Sequence, residues 1–270
     1  MRRRTQAGFL ARGGLAGSLG LRCLARLPSS STDQTRRREH RLGEMSGQIL
    51  AMGGGGFMAE RDSLLDSFML SLSGASRPRV CFVPTPSGDS DRGIAVFFEA
   101  FSSRDCEPSC LRLFGMPERP AEHLAAQDVI YVSGGNTANA LALWRLHGID
   151  DALRAAWERG AVLGGVSAGA NCWFESCVTD SFGPRLEPLH DGLGLLPGSF
   201  CPHYDGEELR RPVYTRLVAE GFPNGIAADD GVGVHFLGTE LAEVVSVRDG
   251  ATAYRVEAGG ESPLEARRLG

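Results

Sequence analysis

Lysine is absent from this chain: all 28 basic residues of the 270 are arginine. That excludes a lysine nucleophile, a lysine general base and the phosphate-binding lysine of a P-loop. The exclusive use of arginine reads as the codon composition of a GC-rich genome. Positive charge is not in excess either, with a formal net charge of −5, so nothing favours nucleic acid or an anionic membrane surface as a partner. Long apolar runs are missing, and no stretch reaches the length of a membrane span. Metal-type cysteine pairs are lacking too. There are seven cysteines, an odd number; Cys106 and Cys110 are close, but no second pair faces them at ligand spacing, which argues against zinc. Cys81, Cys172 and Cys201 lie in apolar runs and are expected as reduced packing residues, which suits the cytoplasm.

What is present is an ordinary globular composition, 42% apolar and 23% charged, over a length that suits one large domain or two small ones. Residues 1–45 differ from the rest. Arg2-Arg3-Arg4 and Arg36-Arg37-Arg38 recur in an acid-poor stretch with the low-complexity run Ser29-Ser30-Ser31-Thr32. One reading is a targeting peptide. The other, preferred because folded patterning begins so soon after Met45, is a disordered extension or a start placed too far upstream. A single α/β domain is expected over 46–258, with a flexible tail at 259–270.

From Gln48 strand and helix patterns alternate. Apolar runs predict strands at 49–52, 80–83, 109–114, 129–132 and in the segment leading to Ser167. Helical spacing is found at 61–73 (Leu64, Leu65, Phe68, Met69, Leu72), 93–102, around Leu141, Leu143, Trp144 and Leu146, and at about 149–159. Such alternation implies a mostly parallel sheet with helices on both faces, here followed by a β-rich C-terminal part. Sites in such sheets lie at the carboxyl ends of the strands. The glycine-rich turns 53–56, 134–135 and 165–169 all fall there. Gly53–Gly56 has neither dinucleotide-binding spacing nor a Walker lysine, so a nucleotide is not expected on it.

Gly165-Val166-Ser167-Ala168-Gly169 carries the chemistry. It lies between a strand and a helix, and G-x-S-x-G in that setting puts a serine on a sharp turn with its oxygen exposed. The helix that follows offers the Ala168 N–H to a developing oxyanion, and the Gly134-Gly135 turn offers a second donor. A serine nucleophile needs a base held by an acid. His203 follows the apolar strand Ser199–Pro202 and reaches the right edge, with His190 in reserve. For the acid, Asp230 follows the strand 225–228, which is expected beside that of His203; Glu175 and Asp180 are rivals.

Together these residues resemble peptidase family S51, that of peptidase E (aspartyl dipeptidase) and cyanophycinase. Ser167-Ala168-Gly169-Ala170-Asn171 is similar to the family's nucleophile turn, Gly134-Gly135-Asn136-Thr137 to its G-G-N-T loop, and Pro202-His203-Tyr204 to its P-H-aromatic motif. Ile49–Gly56 resembles its opening strand and glycine loop. The resemblance covers about 48–236. It implies a fold related to class I glutamine amidotransferases, with Ser167 as nucleophile, His203 as base, and Gly135 and Ala168 as oxyanion hole. Asp230 stands where the family often has glutamate before a glycine. Asn136, Thr137 and an arginine, Arg210 or Arg211, fall where it grips a substrate carboxylate, and the pocket around Asn136, Trp173, Phe174 and Arg210 decides between the substrate readings. The expected protein is a monomeric or homodimeric serine peptidase for short peptides, with N-terminal aspartyl dipeptides first, and needs no metal or organic cofactor. A cyanophycin-type or isoaspartyl peptidase, an esterase, and a non-enzymatic binding protein of the same fold are the alternatives.

Overall fold

The run Gln48–Met52 forms strand β1 of the computed structural model, which describes residues 47–270; the readings of residues 1–45 lie outside them. The next strands are β2 (Arg79–Val83), β3 (Glu107–Cys110), β4 (Val129–Val132) and β5 (Val162–Val166). They alternate with helices α1 (Leu64–Ser71), α2 (Asp91–Phe101), α3 (Pro120–Ala125), α4 (Thr137–His147) and α5 (Ile149–Glu158). Helix α2 is started by Ser90, whose hydroxyl accepts from Gly93 N, and α4 by Asn136, whose side chain accepts from Asn139 N. The third strand starts and stops earlier than its apolar run: pairing with β2 ends at Cys110, and Leu111 and Leu113 enter the core from the loop beyond.

The chain continues through α6 (Ala168–Asn171), β6 (Phe174–Thr179), β7 (Glu187–Leu189), β8 (Leu196–Cys201), α7 (Arg210–Ala219), β9 (Gly225–Ala228) and β10 (Val232–Leu237). It ends with β11 (Glu240–Ser246), β12 (Ala253–Glu257), β13 (Gly260–Pro263) and β14 (Ala266–Arg268). An eight-stranded sheet runs β14-β11-β10-β1-β5-β4-β2-β3, parallel from β1 to β3, with β10 antiparallel to β1. A second, six-stranded sheet runs β13-β12-β9-β8-β6-β7.

Side-chain alternation sorts the layers. Leu50, Met52, Phe82 and Tyr131 pack with Leu65 of α1 and Phe97 of α2 on one face of the large sheet. Ile49, Ala51, Val83 and Val132 pack on the other, where Leu141 and Leu153 of α4 and α5 share the space with Phe200 and Ile226 of the second sheet. Helices therefore cover both faces as expected, and the second sheet shares the face of α4 and α5. Residues 260–268, expected as a tail, are strands: β13 pairs with β12, β14 with β11, and Leu264 and Leu269 join the core.

Asp66, Asp89, Arg210 and Asp229 are buried although such residues are charged in most settings. Asp66, wholly buried on α1, lies near Tyr131 beneath Gly56, with the Arg104 guanidinium 3.6 Å away. Burial pushes its carboxyl from 3.8 up to about 7, against the pull of Arg104. Because the folded value lies above the unfolded one, the stabilisation from this bound proton is complete below the unfolded value and is lost as pH rises through about 7. Asp66→Asn removes the titration. The stability of the variant minus that of the parent should rise by about 2–4 kcal/mol between roughly pH 4 and 7 and stay level above, as read by urea unfolding at a series of pH values. A pH-independent difference excludes a protonated Asp66 in the fold.

Candidate active site

Three successive backbone carbonyls at the end of β1 tie the site together. Met52 O accepts from Ser167 N at 3.1 Å, Gly53 O from His203 N at 3.2 Å, and Gly54 O from Gly231 N at 3.0 Å. Ser167 leaves β5 with φ +57° and ψ −112°, and α6 begins at the next residue. A side chain in that backbone region is strained by about 1–3 kcal/mol, which the surroundings must hold. The flanking glycines let the turn approach β4: a Cβ at Gly165 or at Gly169 would stand 2.3 Å from Val132 O.

His203 and Asp230 come from the second sheet, whose strands β8 and β9 run parallel with Cys201 opposite Ala227. His203 also has a positive φ, +53°. Its Nδ1 lies 2.7 Å from Asp230 Oδ1. The hydrogen bond from His203 holds the Asp230 carboxyl below the usual carboxylate range, against burial, so Nδ1–H donates and Nε2 is left as the basic nitrogen. Asp205 and Arg248 brace the acid. Asp205 Oδ1 accepts from Asp230 N at 2.8 Å, while Arg248 Nη1 donates to Asp205 Oδ2 at 2.8 Å and to Asp230 O at 2.9 Å. The fit leaves no room at Gly54, where a Cβ would stand 1.9 Å from Asp230 Oδ1 and 2.9 Å from His203 Nδ1. The glycine loop at the end of β1 thus makes way for the carboxylate and imidazole.

Ser167, His203, Gly134 and Gly135 line one cavity of about 430 Å³. Ser167 and His203 face it without a hydrogen bond between them. Ala168 heads α6, where backbone N–H groups have no intrahelical partner. The remaining wall includes Phe57, Met58, Phe82 and Tyr131 with Ser87, Ser90 and Gly93 at and before the start of α2.

The residues proposed for substrate binding lie elsewhere. Asn136 is used as the α4 cap and donates to Ser181 O at 2.9 Å; Thr137 is buried. Arg210 is 3% exposed and donates to Glu207 Oε2 at 2.7 Å and Val178 O at 3.1 Å. Arg211 pairs with Glu261 and stacks on Tyr204 and Tyr254. Helical periodicity does not tell which way an arginine turns when acids and aromatics compete for it. Trp173 and Phe174 are core residues. Of the rival acids, Glu175 accepts from Gly198 N, and Asp180 is exposed beside Arg210. His190 is exposed against Phe222. Asp205 stands two residues after His203 on the same strand-end loop, a position legible from the sequence; Arg248, on the loop after β11, carries no such signal. Among the described residues no group of three or more His, Cys, Asp or Glu is placed to hold a metal ion, and no helix is long and apolar enough to cross a membrane.

The peptidase family S51 model matches residues 49–244. The chain is 51% identical over 230 residues to the uncharacterized peptidase YgaJ of Bacillus subtilis (strain 168), covering 83% of this chain and 99% of that protein. It is 31% identical over 127 residues to peptidase E of Streptomyces coelicolor, 47% of this chain and 51% of that one. In fold it is similar to the crystal structure of a peptidase from an acI-B1 Actinobacterium, with TM-score 0.63, 18% identity, and coverage of 84% of this chain and 97% of the other. The class is therefore that of the α/β peptidases, enzymes of the serine-type hydrolase kind. The chain belongs to peptidase family S51.

Gly54→Ala should push Asp230 and His203 apart. Peptidase activity is expected to fall by at least about 100-fold in kcat/KM, as misplaced catalytic groups do, with the fold retained by circular dichroism. Added to Asp230→Asn, the same change should cost little more, since both act on one pair. Full additivity of the two would separate Gly54 from the pair.

Proposed function

We propose that this peptidase cleaves short peptides by acyl transfer, with Ser167 as nucleophile, His203 as base and Asp230 as the acid that orients it. The reading is carried by one observation: a strained serine at a strand-to-helix turn faces the same cavity as an imidazole whose other nitrogen is held by a carboxylate. Bound peptide brings Ser167 Oγ and His203 Nε2 together, as catalytic contacts tighten in the substrate complex. Nε2 takes the hydroxyl proton as Oγ attacks the carbonyl carbon. Gly135 and Ala168 N–H groups receive the oxyanion. The imidazolium, stabilised by Asp230, gives the proton to the departing amine, and water then hydrolyses the ester through the same base. A reducing, cytoplasmic setting fits the six described cysteines, all thiols.

The aspartyl-dipeptidase reading needs a cation beside the cleaved bond, and neither Arg210 nor Arg211 is turned there. The short-peptide reading does not depend on it.

Ser167→Ala should lower kcat by about 10⁴-fold or more and abolish labelling by a fluorophosphonate. Asp230→Asn should cost about 10²–10⁴-fold while retaining slow labelling, because the nucleophile survives and the tautomer is lost. Undiminished hydrolysis by purified Ser167→Ala sinks the assignment.

A further inference from the structure

The cavity beside Ser167 has a composition at odds with an acidic substrate. Among the described residues that line it, none is arginine, aspartate or glutamate, and His203 is the one group that can carry positive charge. Its inner wall rests on the buried rings of Phe57, Phe82 and Tyr131; Phe57 meets Phe82 and Tyr131 edge to face at 5.4 and 5.2 Å, and Phe82 and Tyr131 are tilted at 6.1 Å. Met58, half exposed, stands at the cavity with them. One carboxyl lies behind the wall: Asp66, beneath Gly56 and next to Phe57. Buried Asp89, between Ser87 and Ser90 in the chain, accepts from Phe114 N. Arg104, which stacks on Phe101 beside Phe57, is already directed at Asp66 and at the carbonyls of Arg61 and Ser63.

We infer that this cavity is the specificity pocket for the residue on the amino side of the cleaved bond, and that it selects an uncharged apolar or aromatic side chain in preference to aspartate, with Phe57, Met58, Phe82 and Tyr131 as its determinants. The inference rests on Ser167 being the nucleophile. The residue that becomes esterified to Ser167 is held against the wall Ser167 shares, and the amine leaves past His203, whose side chain is 22% exposed with its Asp230 partner 37% exposed. A substrate carboxylate held there gains no cation, whereas a leucyl or phenylalanyl side chain takes its own apolar surface out of water and covers that of Met58. At about 430 Å³ the cavity has room for one large side chain and the peptide unit attached to it.

The test uses the full chain and free dipeptides X-Leu, where X is Phe, Leu, Asp, Glu or Arg, together with fluorophosphonate labelling of Ser167. Phe-Leu and Leu-Leu should exceed Asp-Leu in kcat/KM by at least about tenfold, the order expected for a pocket that meets a mismatched group. Phenylalanine or leucine should protect Ser167 from the label at lower concentration than aspartate, a readout that holds even if no dipeptide of the panel turns over. Ser87→Arg, at an exposed position lining the cavity, should move the Asp-to-Phe ratio at least about tenfold toward aspartate through a new ion pair, and Ser87→Gln should not. Preference for Asp-Leu, or protection by aspartate first, with Ser167 still labelled, overturns the pocket and leaves the nucleophile standing. The absence of both labelling and hydrolysis would overturn the nucleophile assignment, and the pocket falls with it.

Discussion

The site depends on the backbone of residues 52–54. Their carbonyls hold, in order, the amides of Ser167, His203 and Gly231. One strand end thereby fixes the turn after β5, the loop after β8 and the loop after β9, which belong to two different sheets. Backbone carbonyls suit this role because they have few internal degrees of freedom, so the groups they position share one frame. The arrangement needs glycine at 54, because the carboxylate and imidazole occupy the space of its side chain. Substrate specificity, by contrast, is left to side chains on the far wall.

Strain and charge are handled by the same network. Ser167 and His203 both sit at positive φ, and each has its amide tied to the β1 end. Asp230 keeps its charge because His203 donates to it, and its backbone is braced on either side by Asp205 and Arg248. This bracing is exposed in part, so its contribution is one of orientation more than of burial energy. Beneath the cavity the opposite holds. Asp66 is driven toward its neutral form by burial, and the aromatic cluster above it leaves little for a charged ligand to pair with.

A family resemblance and a pocket composition thus point different ways on substrate. The motifs that carry the family are backbone features: a serine turn, a glycine loop and a strand ending in histidine. In the proposed mechanism they set where the bond is attacked. The residues that would grip an aspartate are side chains on helix α7 and the cap of α4, and these are taken by Glu207, Glu261, Val178 O and Ser181 O. Chemistry and specificity are built on different elements, which lets one persist while the other changes.

Local pattern was enough to read the strands up to β5 and the helices between them except the six-residue α3, the turn at Ser167, and the strand-end positions of His203 and Asp230, because each depends on the period and punctuation of a short segment. It was not enough for the second sheet, whose strands are three to six residues long with little alternation, nor for the strands after residue 259, which exist only because β11 and β12 offer them edges. Nor does a sequence show which partner captures Arg210, Arg211 or Asn136. Those partners lie up to 50 residues away, and the winner is set by distance and burial in the folded chain.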